Sequence, residues 1–125
     1  MRWVVHAREE FTASHALRVY NGHPEEAHSH RWAVEVRVGV PRLNAEGYAL
    51  DFHALRSALA AAVADLHDAD LTTHSEVGMP TPTAENLAMV LARRLEEPVA
   101  LLGGTLLTVS VWEGPGNRVD LELEG

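Results

Sequence analysis

The sequence predicts an α+β domain: one four-stranded antiparallel sheet with two helices on one face, in the order ββααββ. Two observations predict it. Apolar residues alternate with a period of two before Pro41 and after Gly104, and recur at three- and four-residue steps between them. Turn residues mark each change of period, so strands at both ends flank helices in the middle and pair as two hairpins.

The first strand runs from Trp3 to His15, with Trp3, Val5, Ala7, Phe11, Ala13 and His15 on one parity. Tyr20 to Ala27 contains Asn21-Gly22 and Pro24, which favour turns and bar regular pairing, so it reads as a loop. The second strand spans about His28 to Val40, where Pro41 stops it. Its even positions His28, His30, Trp32, Val34, Val36 and Val38 share a face. After the turn-like Asn44-Ala45-Glu46-Gly47, Asp51 is placed to cap a helix reaching about Leu66. Phe52, Leu55, Leu59, Ala62, Val63 and Leu66 form its apolar face.

A second helix is expected from near Thr83, with Leu87, Val90, Leu91 and Leu95 buried and Pro98 as its end. Gly103-Gly104 leads into a third strand, Thr105 to Glu113, and Gly114-Pro115-Gly116-Asn117 turns into a fourth, Arg118 to Glu124. On the third strand Leu107, Val109 and Val111 oppose Leu106 and Trp112, so both sheet faces carry apolar residues there. Such a sheet, with exposed edges, predicts edge-to-edge joining between subunits.

At 125 residues the chain fits one domain, 1–125, able to bury a core without disulfides or a structural metal. It has no cysteine, which removes disulfides, cysteine-based zinc knuckles and a thiol nucleophile together. Its net charge of −8, from 18 acidic against 10 basic residues, argues against nucleic acid or an anionic membrane as partner and favours a small molecule. The N-terminus shows no basic segment followed by an apolar run, and the longest apolar stretch, within Ala58 to Ala64, is too short to span a bilayer. A cytoplasmic location is the expectation.

The stretch from Glu25 to Trp32 holds the chemistry. His28 and His30 are two apart at the start of a strand, so both imidazoles project from one face and can reach one metal ion. Zinc that keeps a position open takes three protein ligands, and His15 at the end of the first strand is the candidate for the third. Spacing alone leaves surface histidines open as the alternative, because the chain has eight. His6, His23, His53 and His74 read as structural or surface residues.

Phe11-Thr12-Ala13-Ser14-His15, His28-Ser29-His30, Leu50-Asp51-Phe52, Pro82-Thr83-Ala84-Glu85-Asn86-Leu87 and Trp112-Glu113 occur in the order of the 6-pyruvoyltetrahydropterin and 6-carboxytetrahydropterin synthases. The chain resembles this family over nearly its whole length. The resemblance implies the tunnelling fold, in which trimers close their sheets into a barrel and two trimers stack into a homo-hexamer with active sites at subunit interfaces. It implies zinc as cofactor on His15, His28 and His30, and a pterin held by Glu113, with Thr83 and Glu85 beside it. As residues alone, Glu113 also fits a solvated strand end, and Thr83 and Glu85 a helix cap and first-turn acid.

The cysteine that family members usually carry just before the His-x-His pair is missing. In its place Glu25-Glu26-Ala27-His28 resembles the Glu-x-x-His arrangement of a cysteine-lacking branch that shortens the dihydroneopterin side chain to 6-hydroxymethyl-dihydropterin. Glu25 is therefore the candidate base, although that branch has glycine where this chain has Ser29. An Asp-His pair after the first helix is inverted here, in Leu66-His67-Asp68-Ala69-Asp70-Leu71, which makes His67 and Asp68 the candidates for assisting proton transfer, with Asp70 also open.

The expected function is that of a zinc-dependent lyase acting on the side chain of 7,8-dihydroneopterin or its triphosphate. One alternative is a non-catalytic pterin- or metal-binding module. Another is a cupin-like metal protein, since Gly22, His28, His30, Glu35 and Gly39 resemble a first cupin motif. Against it, Glu35 has the opposite strand parity from the histidines, no second motif follows, and two helices do not suit a jelly roll.

Overall fold

The structure, a computed structural model, describes residues 1–123. Strands β1 (Trp3–His15) and β2 (His28–Val40) form a long antiparallel pair, followed by α1 (Phe52–Val63), which continues as a 3-10 turn over Ala64–Leu66. Helix α2 (Ala84–Leu101) then leads into β3 (Thr105–Glu113) and β4 (Arg118–Glu122), and the sheet order is β1-β2-β3-β4. The last strand ends at Glu122 with Leu123 outside it, short of the expected end at Glu124, a residue that lies outside the described ones.

The alternation along β1 and β2 dictates their register, because a one-residue slip would turn the apolar set away from the helices. His15 pairs with His28, Ala13 with His30 and Phe11 with Trp32, while Trp32 also pairs with Glu113 of β3. Three histidines and one glutamate therefore gather at one end of one face. Behind them Phe11 and Trp32 stack at 6.3 Å, and Leu55, Leu59, Leu87, Leu91 and Leu95 close the core from the helices. Each such fully buried side chain contributes about 1.5–3 kcal/mol, so the floor of this end is rigid.

Three expectations are corrected. Pro98 stands inside α2 and does not end it. Proline removes only one N–H in this last turn, and fully buried Val99 anchors the turn to the core. The end comes at Gly103, whose φ of 92° is open to glycine, with Gly103 N–H donating to Ala100 O and Gly104 N–H to Val99 O. On β3 a bulge against Arg37 and Val38 resets the parity, so Leu106 joins Val109 and Val111 in the core and Leu107 turns to the other face beside Gly39. Phe52, expected on the buried face of α1, is exposed at the helix start.

The outer edge of β1 is covered at its His15 end. Asp68 N–H donates to Thr12 O, Ser14 N–H to Ala69 O, and Leu71 N–H to Ser14 O, so the segment after α1 runs along the strand. The outer edge of β4 has no such partner among the described residues.

This covering segment is tied to α2 through Arg94, which binds Asp65 bidentately at 2.7 and 3.1 Å and Glu76 at 2.8 Å. His74 Nε2 also meets Asp65 at 2.8 Å. The Arg94 guanidinium, helped by His74, holds the Asp65 carboxyl down at about 2. A depressed carboxylate adds stability that is fully present above the ordinary aspartate value and lost as pH falls through the folded one. Because Asp65 is half exposed, solvent screening limits this to about 1 kcal/mol. Asp65→Asn should lower stability by about that much in urea melts at neutral pH, and the deficit should shrink as pH falls from about 4 toward 2.

Candidate metal centre and adjoining pocket

His15 is 1% exposed and holds its ring by two contacts. Its Nδ1 lies 2.7 Å from the carbonyl oxygen of Pro82, so Nδ1–H donates there and Nε2 is left with a lone pair. Trp32 meets the ring edge-on at 4.9 Å, its own Nε1–H donating to Ala13 O. His28 is set in the same way, Nδ1 facing Glu26 O at 3.1 Å. Its ring stands 4.6 Å from that of His15 and 4.5 Å from that of His30.

The Nε2 atoms of His15 and His30 are buried without a hydrogen-bond partner. Burial is the main cause that lowers the His30 pKa, and His28 and His15 push the same way while Glu113 and Glu25 oppose them. Low basicity keeps the imidazole neutral, the form that binds metal. Glu113 completes the group, Oε1 standing 3.2 Å from His15 Nε2 and Oε2 3.7 Å from His30 Nε2. All four residues offer an atom within 4.8 Å of the others. Orphaned lone pairs converging beside a carboxylate fit a metal ion, and imidazole nitrogen with carboxylate oxygen is a donor set that suits zinc.

Glu25 lies just beyond this cluster. Its Oε1 accepts the N–H of Leu17 at 2.9 Å, its own N–H donates to Leu17 O, and Oε1 is 3.9 Å from His28 Nδ1. Glu26 is exposed and meets His28 only through its backbone oxygen. The fold thus separates two adjacent glutamates. Thr83 caps α2 by accepting Asn86 N–H at 3.0 Å, and Glu85 lies in the first turn. Both line a cavity of about 260 Å³ with Leu17, Arg118 and Glu113. Glu113 is therefore shared between the histidine cluster and the pocket.

His67 and Asp68 are not brought to this cluster within the chain. They lie exposed along the outer edge of β1, where His67 Nδ1 accepts Thr12 N–H at 3.3 Å and Asp68 turns the chain with φ 61°. Asp70 spends its carboxylate on Thr72 N–H. Glu35 faces the other side of the sheet, 3.3 Å from His6, away from the three histidines. That side also has a cavity of about 400 Å³ between Arg8, Arg31 and Trp112, where the carboxylate Glu10 is taken by Arg31 at 2.6 Å.

Several residues that set the cluster escape sequence reasoning. The Pro82 carbonyl that orients His15 is backbone and leaves no signature. It is held in place by Arg18, donating to Pro80 O at 2.7 Å and Gly78 O at 3.1 Å, and by Asn86, donating to Val77 O at 2.7 Å and Met79 O at 2.8 Å. Gly78 permits the close path of this loop: a Cβ there would lie 2.7 Å from His74 O and 2.8 Å from Leu71 O. The one available signal was Asn86 within Pro82-Thr83-Ala84-Glu85-Asn86-Leu87.

A sequence model of 6-pyruvoyl tetrahydropterin synthase matches residues 4–124. No curated protein sequence matches the chain. Among solved structures, Caenorhabditis elegans 6-pyruvoyl tetrahydropterin synthase is similar with a TM-score of 0.80 at 16% identity, over 99% of this chain and 97% of that one. The Plasmodium falciparum 6-pyruvoyl tetrahydropterin synthase gives 0.73 at 18% identity, over 96% of each chain. A Plasmodium vivax 6-pyruvoyltetrahydropterin synthase with a catalytic glutamate replaced by alanine gives 0.63 at 13% identity, over 95% of this chain and 97% of that one. At these identities the structures establish the α+β tunnelling fold, and the cupin reading falls with it. The sequence match over all but the first few residues and the last carries the assignment further: the chain belongs to the 6-pyruvoyl tetrahydropterin synthase family.

Proposed function

We propose that the protein is a zinc-dependent lyase acting on the side chain of 7,8-dihydroneopterin or its triphosphate, through Glu25 and toward 6-hydroxymethyl-dihydropterin. The observation that carries this reading is Glu113, which borders both the three-histidine cluster and the pocket of Thr83 and Glu85. One carboxylate can hold a pterin there while the side chain of the ring reaches the histidines.

His15, His28 and His30 would hold the zinc. When bound, zinc supplies Lewis-acid chemistry that makes side-chain hydroxyls more acidic. Glu113 accepts the ring N–H and exocyclic amine of the pterin through its two oxygens, a charge-assisted pair that fixes the ring's orientation. Glu25 takes the proton of a side-chain hydroxyl. With that proton taken from the second side-chain carbon's hydroxyl, the bond between the first and second side-chain carbons breaks, and the second and third carbons leave as glycolaldehyde (or its triphosphate). The conjugated C=N of the dihydropterin accepts the electron pair, and the proton returns to the ring-side carbon. Leu17 N–H steadies Glu25 Oε1, and among the described residues Oε2 accepts no hydrogen bond, which leaves it open for this role. A catalytic glutamate in the Plasmodium vivax synthase supports this use of a carboxylate.

His67 and Asp68 are exposed beside the His15 end of β1 and away from this chain's own cluster, so the proton-transfer role we propose for them is in a neighbouring subunit's site. The assembly we propose is built on trimers, a hexamer of two, as the family resemblance implies; the open β4 edge supports joining between subunits. Sedimentation velocity should show no monomer at micromolar concentration. A clean monomer would remove the interface, and with it any role for His67 and Asp68.

Neopterin, an oxidised and stable pterin, tests the pocket through its own fluorescence. Glu113→Gln should weaken its binding by about tenfold or more, because an amide sets a donor against the donors of the ring edge. Equal binding by Glu113→Gln and wild type would move the pterin elsewhere.

A further inference from the structure

Glu113 faces two ways, and the two directions make different demands on one carboxylate. Toward the pocket it borders space shared with Thr83 and Glu85. Toward the histidines, Oε1 and Oε2 stand 3.2 and 3.7 Å from the Nε2 atoms of His15 and His30, neither of which has a hydrogen-bond partner. The ring proton of neutral His15 is committed to Pro82 O on its far side. A carboxylate 3.2 Å from the Nε2 lone pair of His15 is repelled unless a proton or a metal ion lies between them, and a metal ion serves both histidines at once.

The separations suit that cation. With ligand atoms about 2.0–2.1 Å from zinc, the edge of a coordination tetrahedron is about 3.4 Å, midway between the two distances from Glu113. From this we infer that Glu113 is the fourth protein ligand of the metal ion in the substrate-free protein, and that an arriving pterin draws it away. The displacement rests on the functional reading above, whereas the ligation does not.

The device would couple the two events. A closed ion with four protein ligands has no position for water or for a stray oxygen ligand. When the ring N–H groups of a pterin claim the carboxylate, the position opens with the substrate's side chain already beside it. Because one group serves both partners, metal and pterin are thermodynamically linked through it. No other residue joins pocket and cluster in this way among the described residues.

Two measurements on the assembled protein test this. The first is zinc affinity by chelator competition, without any pterin, for wild type and Glu113→Gln. The second is the visible spectrum of the cobalt(II)-loaded wild type before and after neopterin. We expect Glu113→Gln to bind zinc about tenfold or more weakly, and neopterin to shift the cobalt bands of the wild type. Wild-type zinc affinity in Glu113→Gln would overturn the ligation. Neopterin that binds by fluorescence yet leaves the cobalt bands unmoved would overturn the displacement, and this arm needs no variant to fold. Neopterin that does not bind would overturn the displacement together with the pterin reading, and the zinc comparison would still decide the ligation.

Discussion

Replacing His28 with alanine should lower zinc affinity by about 10²-fold or more, while Glu35→Gln should leave it unchanged. The loss of one imidazole removes a ligand outright, and even outer partners of zinc ligands change affinity by about 10–100-fold. The contrast follows from strand parity. His28 pairs with His15 and stands between it and His30, whereas Glu35 points through the sheet to His6 on the other side. Metal analysis after dialysis against a zinc buffer, with circular dichroism to confirm folding, reads both variants. Retained zinc in His28→Ala, or its loss in Glu35→Gln, would mean that the ion sits elsewhere.

Glu25→Gln should keep zinc and pterin binding and lower turnover by about 10²-fold or more. The amide keeps the size of the side chain, and its carbonyl oxygen can still accept the N–H of Leu17, but it cannot take a proton. Glu26→Gln serves as the internal comparison. Glu26 gives His28 only a backbone carbonyl, which the substitution leaves in place, so its rate should stay near that of the wild type. Full activity in Glu25→Gln would shift the base to another group. His67 is then next, and its exposed place beside β1 would require the neighbouring subunit.

Much of the fold was legible because the chain states its periods plainly. The bounds of β1 and β2 follow from period-two alternation closed by a Gly- and Pro-containing loop and by Pro41, and the grouping of His15, His28 and His30 follows from that register; the place of Glu113 beside them comes from the pairing of β2 with β3 and was not legible. What stayed hidden depended on contacts. Pro98 reads as a stop in isolation, but the buried Val99 and the Gly103-Gly104 cap outweigh it. The bulge that moves Leu106 into the core could not be read locally, since Leu106 and Leu107 are adjacent apolar residues and sequence alone does not say which faces the helices. Phe52 obeys helical spacing, yet it is the first residue of α1 and is exposed, the buried face starting at Leu55.

The candidate site divides in the same way. Side chains that act on one face of one sheet could be placed by counting, and Thr83 and Glu85 joined them through the motif at the start of α2. Groups that act through the backbone, such as Pro82 O on His15, could not. Nor could His67 and Asp68 be placed, because a reversed pair in a loop points where the chain turns, and Asp68 turns it with a positive φ.

The central claim is that this histidine cluster, with Glu25 beside it, cleaves the side chain of a dihydropterin. The most direct measurement is to incubate the zinc-loaded protein with 7,8-dihydroneopterin and, separately, with its triphosphate, and to identify the pterin product by mass. The account predicts 6-hydroxymethyl-dihydropterin from at least one of them, formed by wild type and nearly absent with Glu25→Gln. Both substrates bound and recovered unchanged would contradict it, and would leave a pterin-binding module on the fold of an enzyme.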